Sequence, residues 1–257
     1  MIDPINRPIF IIGSGRSGTT IFYRLLAGHR SLGWFSSYLQ VFPRWPLVAR
    51  LNTLYQVPAL VKRYRNKRWF PKPVEGHMLW DTFHPIKNSA GSPPFTERDV
   101  AHADTHEMRR FISNLLHFSG RARFMNKNTR NTRRTRYLQT IFPDALFIHV
   151  IRDGRAVTNS FLHIGWWPKL RIWWAGGRTP LELQAEGTDP VLIAARMWKS
   201  EVERILKDKE HLPAEQYMEV RYERLMHDPI GEMKRVLDFC CLPWTERLQA
   251  HIAAVAI

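Results

Sequence analysis

Eight residues near the start of the chain, Gly13-Ser14-Gly15-Arg16-Ser17-Gly18-Thr19-Thr20, combine three glycines, four hydroxyls and an arginine. Glycines let the backbone curl until several N–H groups point inward, and a helix beginning behind such a loop adds its positive end. That is chemistry for an anion, set against the plainer reading of a tight strand-to-helix turn. The two outer glycines stand five apart, as in a Walker A loop, yet the lysine required after the second glycine is Thr19 here. The cation lies inside the loop instead, as Arg16. A triphosphate site usually needs the missing lysine and a magnesium ligand, whereas a donor with fewer phosphate groups can be held by an arginine and hydroxyls. A second grouping follows the apolar run Leu146–Ile151: Arg152 and, eight residues on, Ser160. An arginine fork and a serine hydroxyl grip a phosphate from two sides. The plainer counterpart is an arginine pairing with the neighbouring Asp153.

Both groupings sit where a strand meets a helix. Residues 8–13 form a short continuous apolar run, which suits a strand buried on both faces. Behind the loop, Ile21, Phe22, Leu25 and Leu26 share one side of a helical pattern. Strand-like runs recur at 123–126, 146–151 and 217–221, with helical patterns at 134–142, 154–162, 190–208 and 229–240. Strands alternating with helices predict an α/β fold: a P-loop-like central parallel sheet flanked by helices on both faces. Arg152 then stands on the rim where such sheets bind ligands. A helix is expected over 99–119, and short helices and loops over the aromatic, proline-rich stretch Leu32–Arg98. The tryptophans of Trp34–Trp45 and Trp166–Trp174 read as core, or alternatively as the lining of a pocket.

At 257 residues, 44% apolar and 24% charged, the chain suits one domain spanning 1–257. The net charge of +15 favours an anionic partner without choosing among nucleic acid, acidic lipid, acidic polymer and a phosphorylated small molecule. The only cysteines, Cys240 and Cys241, lie in an apolar run and read as two buried thiols. That argues against disulfide staples and a cysteine-based zinc site. No apolar stretch approaches the ~20 residues of a membrane span, and the amino terminus lacks a secretory pattern. The expectation is a cytoplasmic protein with no transmembrane segment, peripheral membrane contact being left open.

Taken together, the loop Gly13–Thr20 and the stretch Val150-Ile151-Arg152-Asp153-Gly154-Arg155-Ala156-Val157 with Ser160 resemble the two donor-binding signatures of the PAPS-dependent sulfotransferases, PAPS being 3′-phosphoadenosine-5′-phosphosulfate. Asn126-Lys127-Asn128 is similar to an Asn-Lys pair of the tyrosylprotein-type and related bacterial members. Val220-Arg221-Tyr222-Glu223-Arg224-Leu225 resembles a later element whose tyrosine often lies beside the nucleotide. The resemblance covers about residues 8–29 and 120–245. It implies an enzyme that moves a sulfuryl group from PAPS to a hydroxyl-bearing acceptor. It assigns Gly15, Arg16, Ser17, Gly18, Thr19 and Thr20 to the 5′-phosphosulfate, Arg152 and Ser160 to the 3′-phosphate, and Tyr222 to the nucleotide.

Sulfuryl transfer needs in-line approach and stabilisation of the departing charge. Arg16 and Lys127 are the candidates, with no metal expected; for Lys127 the alternative is a solvated residue in a basic segment. The acceptor must also lose a proton. Cytosolic family members place a histidine two residues after the Lys127 position, where this chain has Thr129. Tyrosylprotein types use a glutamate soon after the first helix, where it reads Trp34-Phe35-Ser36-Ser37. The candidate bases therefore come from an acidic island at 75–81: Glu75 first, then His77 and Asp81, against a plain surface carboxylate. The acceptor's identity and the oligomeric state stay open. Two other functions compete. One is a P-loop nucleotide kinase or hydrolase, which the absent Walker lysine disfavours. The other is a non-catalytic polyanion-binding protein, drawn from the charge, although nucleic acid is not the expected partner. No arginine or lysine follows Arg247, and the apolar end His251–Ile257 is unlike the nucleotide-covering tail of such enzymes. The domain is therefore expected to be short at its C-terminus, with an open donor site.

Overall fold

Four apolar residues, Ile9–Ile12, form β1, and each is fully buried. Alternate side chains leave a strand on opposite faces. Ile9 and Ile11 accordingly join Phe22, Leu25 and Leu26, while Phe10 and Ile12 join Phe124, Phe142 and Phe147. A strand of this kind has to be covered on both sides. The structure, a computed structural model, describes residues 5–83 and 91–255. In it β1 is the centre of a parallel sheet with β2 (Leu32–Gly33), β3 (Arg123–Lys127), β4 (Leu146–Ile151) and β5 (Tyr217–Arg221). The strand order is β2-β3-β1-β4-β5, and Ile9 pairs with Met125 on one side and Leu146 on the other.

The helices are α1 (Thr19–Leu26), α2 (Ser37–Val41), α3 (Pro58–Tyr64), α4 (His77–Thr82), α5 (Thr105–Ser119), α6 (Thr135–Ile141), α7 (Gly154–Leu162), α8 (Pro180–Ala185), α9 (Pro190–Lys209), α10 (Tyr222–His227), α11 (Pro229–Cys240) and α12 (Glu246–Val255). Residues of α1, α3, α11 and α12 pack on the Ile9 face, and residues of α4, α5 and α6 on the Phe10 face. A third apolar cluster joins α7 to α9 through Val157, Phe161, Ile193 and Met197. The α/β architecture with both faces covered is the one the strand and helix alternation predicts. Among the described residues no helix is long and apolar enough to cross a membrane.

Several local expectations are corrected. The helix expected over 99–119 is divided: a capping box of Thr96 and Asp99 starts a 3₁₀ turn at Glu97–His102, and Ala103 turns extended. Asp104 then caps α5 by accepting from the Glu107 N–H at 2.9 Å. Cys240 is buried, but Cys241 is exposed, because it ends α11 in the left-handed region at φ 53° and points out of the core. Trp34 packs in the core edge-on to Tyr55, whereas Trp45 is exposed, so that belt splits between core and surface. The stretch Leu32–Arg98 contains short helices, a 3₁₀ segment at Pro46–Gln56 and the unforeseen two-residue β2; its part at 84–90 lies outside the described residues.

Phe10 is the centre of an aromatic layer, with ring centroids 5.7 Å from Phe142 and 5.8 Å from Phe147. Phe10→Ala is expected to cost about 3–5 kcal/mol, read as a lower urea midpoint at unchanged slope. A loss under about 1 kcal/mol would show that this layer is not close-packed.

Candidate active site

The loop after β1 leaves the sheet hard against its neighbour. Gly13 has φ 148°, and a Cβ there would fall 2.4 Å from the Val150 carbonyl oxygen of β4. Thr132 fastens this corner: its hydroxyl donates to the Gly13 carbonyl at 3.0 Å and accepts from the Gly13 N–H at 3.1 Å. Arg16 holds left-handed backbone at φ 69°, which residues other than glycine rarely adopt. Helix α1 opens at Gly18 with no side-chain cap and no acid in its first turn, which leaves the positive helix end to an anion. The Ser17 hydroxyl is buried and has no hydrogen-bond partner among the described residues.

Since Ile12 pairs with His149, β4 delivers Arg152 beside this loop. Arg152 Nη1 donates to the Arg16 carbonyl at 3.2 Å, and its guanidinium lies 4.5 Å from the centre of the Tyr222 ring. Asp153 caps α7 and pairs with Arg155 at 2.8 Å, so the local pairing weighed for Arg152 is taken by Arg155 instead. Ser160 of α7 accepts from Arg16 Nε at 2.9 Å. Tyr222 opens α10 directly after β5, and a Cβ on Gly18 would fall 2.1 Å from its ring. The loop, Arg152, Ser160 and Tyr222 therefore meet at one edge of the sheet. The Arg16–Ser160 bond that ties the two motifs together has no signal in either pattern.

On the other side of β1, β3 ends at the buried Lys127. Its ammonium donates to Thr20 Oγ1 at 3.0 Å and forms an ion pair with Glu75 Oε1. Glu75 Oε2 accepts from the Thr129 N–H and the Thr129 hydroxyl, each at 3.2 Å, and lies 3.1 Å from His77 Nε2. The Asn126 and Asn128 side-chain amides donate to the Glu75 carbonyl at 3.3 and 3.2 Å, clamping the segment that carries Glu75. Asn128 Oδ1 accepts from the Arg130 N–H at 2.9 Å, which orients its amide and aims Nδ2 at His77 Nδ1, 3.1 Å away. The ring proton of His77 is thereby assigned to Nε2, facing Glu75. Burial pushes the Glu75 carboxyl up, but the His77 hydrogen bond and the Lys127 charge outweigh it and hold the group well below the usual carboxylate range. Burial lowers Lys127, and Glu75 opposes that shift. Asp81, the third base candidate, pairs with Arg130 at 3.2 Å.

A cavity of about 390 Å³ opens over this junction. Gly15, Arg16, Thr19 and Thr20 line it together with Lys127, Glu75 and His77, and Trp166, Leu170 and Met197 supply apolar wall. Its lining also includes a pair that no motif announces: Arg133 and Glu201, both 5% exposed and 3.6 Å apart. The Trp173 indole donates to Glu201 Oε1 at 3.0 Å, while Oε2 is buried without a described partner. Burial raises the Glu201 carboxyl. A signal was present, since Glu201 interrupts the apolar stripe Ile193, Met197, Ile205 at four-residue spacing on α9. A larger groove of about 1330 Å³ between α7, α8 and α9 takes in none of the loop, Lys127 or Glu75, and Arg152 and Ser160 line neither cavity.

Comparison with known proteins bears on this geometry. The profile described as the Sulfotransferase family matches residues 8–246. Similar curated proteins include Protein-tyrosine sulfotransferase A of Caenorhabditis elegans, 25% identical over 95% of this chain and 52% of that protein. Another is the omega-hydroxy-beta-dihydromenaquinone-9 sulfotransferase Stf3 of Mycobacterium bovis, 26% identical over 96% of this chain and 66% of that protein. The chain thus spans about half to two-thirds of the length of these relatives. Among solved structures, sulfotransferase STF9 from Mycobacterium avium is similar with a TM-score of 0.63 at 20% identity, covering 97% of this chain and 67% of that one. The sulfotransferase domain of the Synechococcus PCC 7002 olefin synthase gives 0.53 at 19% identity, covering 96% and 78%. At such identities the structural likeness speaks for the fold. The sequence match takes in β1 through α11 and every motif residue described above, and on that match the chain belongs to the sulfotransferase family.

Proposed function

We propose that this chain moves a sulfuryl group from PAPS to an acceptor hydroxyl and releases PAP, the desulfated nucleotide. The observation that carries this reading is the meeting of Arg16, Ser160, Arg152 and Tyr222 beside Lys127 and Glu75. The Ser17 hydroxyl, without a hydrogen-bond partner among the described residues, and the uncapped start of α1 suit the phosphosulfate end of the donor. Arg152 and Ser160 suit its 3′-phosphate. PAPS supplies an activated sulfuryl group whose departure leaves negative charge on a phosphate oxygen. Lys127 spends two of its three N–H donors on Thr20 and Glu75 and keeps the third for that charge, with Arg16 on the same cavity.

Glu75 is the base in this reading. Among described residues Oε1 has Lys127 as its partner, which leaves a lone-pair direction for the acceptor hydroxyl, whose proton it takes as the new bond to sulfur forms. His77 and Thr129 hold the other oxygen and act as positioning residues. Because Lys127 stabilises the carboxylate, Glu75 is a weak base at rest. An anionic donor beside Lys127 raises its basicity, so proton removal is coupled to donor binding. The apolar wall of Trp166, Leu170 and Met197 suits a hydroxyl carried on an apolar or aromatic body. The relatives' names give a protein tyrosine and an omega-hydroxy menaquinone as theirs. A kinase or hydrolase is disfavoured because Thr19 stands where the Walker lysine belongs and Lys127 arrives instead from β3. A mere polyanion binder is disfavoured because Arg16 and Lys127 line a concave site rather than a face.

Transfer of labelled sulfuryl from PAPS to a panel of phenols and long-chain alcohols tests the reaction. It is expected to persist in EDTA, since the proposed charge stabilisers are side chains and amides; loss in EDTA with recovery in magnesium would contradict that. Arg152→Ala is expected to weaken PAP about 10- to 150-fold, the worth of a charge-assisted contact of roughly 1.5–3 kcal/mol. An analogue lacking the 3′-phosphate should lose little. Equal losses in calorimetry remove Arg152 from that phosphate.

Glu75→Gln is expected to lower kcat by about 10²–10⁴ while PAP binds as well or better, Lys127 having been freed. The sign of the pH effect follows from the depressed carboxyl. The working form is deprotonated, and it stays deprotonated as pH falls through the ordinary carboxylate range. The kcat/KM profile of the wild type should therefore show no acidic limb between about pH 5 and 8. A limb near neutrality that disappears in His77→Gln would transfer the role to His77.

A further inference from the structure

The charge of +15 is distributed very unevenly along the chain. Between Pro4 and Val74 there are twelve arginines and lysines and no aspartate or glutamate, the first acid beyond Asp3 being Glu75. The donor site described above uses Arg16 from this set, and most of the rest faces solvent without an acidic neighbour in sequence. The same stretch leaves large apolar side chains in water. Val41 and Trp45 are 67% and 70% exposed, and Phe42, Leu47 and Trp69 about half. Val41-Phe42-Pro43-Arg44-Trp45 is an unbroken exposed run, and Arg50, Lys62, Lys67 and Arg68 are exposed around it in the chain.

The two ends of this stretch are tied together. The Tyr38 hydroxyl donates to the Trp69 carbonyl, and the Ser37 N–H donates to the Lys72 carbonyl at 3.1 Å, so α2 and the turn around Trp69 are fastened together. The Trp69 ring packs on Tyr64 with centroids 5.2 Å apart, and Arg63 lies over the same tyrosine. Single exposed hydrophobic residues need no explanation, but a run of aromatic and aliphatic side chains interleaved with cations and free of acids marks an interaction site.

We propose that the face formed by residues 41–69 docks on an anionic lipid surface. Phe42, Trp45, Leu47 and Trp69 sit at the headgroup level, and the arginines and lysines meet lipid phosphates. Tryptophan rings favour that depth, and each basic residue near an acidic leaflet strengthens binding about fivefold. A nucleic acid would satisfy the cations but offers Val41 and Leu47 no apolar body to bury against. The face shares no described lining residue with the donor cavity, so the inference stands independently of the reaction proposed above. It ends six residues before Glu75, which the segment Lys72–Val74 joins to it.

The test is co-sedimentation of the full chain, without donor, with vesicles of mixed phosphatidylglycerol and phosphatidylcholine and with phosphatidylcholine alone. Binding is expected at least about tenfold stronger to the anionic vesicles, with tryptophan fluorescence quenched by brominated lipid. Arg44→Gln/Lys67→Gln should weaken binding about 25-fold. Trp45→Ser/Trp69→Ser should remove most of the quenching, and the control Leu181→Ser, an exposed apolar residue on α8, should change neither readout. All these positions are exposed, and an unchanged melting temperature verifies that each variant folds. No vesicle binding, equal binding to both lipids, or wild-type binding by both double variants would overturn the proposal. So would retention of an acidic protein or an oligonucleotide through the same residues without vesicle binding.

Discussion

The site depends on the parallel pairing of β1 with β4. Ile12 faces His149 across that ladder, so both strands release their chains at the same edge of the sheet. The approach is close enough that Gly13 has no room for a Cβ against the Val150 carbonyl. Parallel strands followed by helices always present their connecting loops on one edge. Here the two loops so presented carry an anion cradle and an arginine, and they bond to each other through Arg16, Ser160 and Arg152. The site's position is set by backbone topology, and donor groups fixed in that way can stabilise charge without reorganising.

The same pairing creates a difficulty that β3 resolves. Arg152, bonded to the Arg16 carbonyl, Arg16 and Lys127 are cations drawn close together, the last two into one cavity, and Lys127 is buried besides. Glu75 offsets the last of these by contact, and it is held in turn by Thr129, His77 and two asparagines at the end of β3. Thr129 occupies the position where cytosolic sulfotransferases are expected to carry a histidine. Its N–H and hydroxyl hold a carboxylate delivered from a segment more than fifty residues away. In the proposed reaction a carboxylate tied to the lysine that would serve the donor links the two halves of the chemistry, since the donor's charge would compete for that lysine.

Legibility in the sequence followed the range of the interactions. β1, β4 and the loops behind them were readable because continuous apolar runs, glycines and an arginine-to-serine spacing are local facts. β2 was not, since two residues carry no period and its place is set by β3 alone. The division of the helix before α5 was hidden because Asp104 and Asp99 act as caps inside a pattern whose apolar spacing runs through. At the site, the sequence offers Glu75 and Lys127 separately as an acid and a cation, and their contact depends on tertiary folding. Glu201 and Arg133 carry no motif, although an acid in an apolar helical stripe is a departure that burial explains. Trp34 and Trp45 look alike in sequence, and only packing separates a core ring from a surface one.

In the proposed reading the two loops form one site for a 3′-phosphorylated adenine nucleotide. Thermal unfolding of the chain in separate scans with PAP, with ATP and magnesium, and with a DNA oligomer tests it most directly. A ligand that binds the folded state at a hundred times its dissociation constant stabilises by about 2.7 kcal/mol, which for a chain of this size raises Tm by about 5–10 °C. That rise is expected with PAP, and little or none with the other two. A rise with ATP and magnesium or with DNA, and none with PAP, would contradict it.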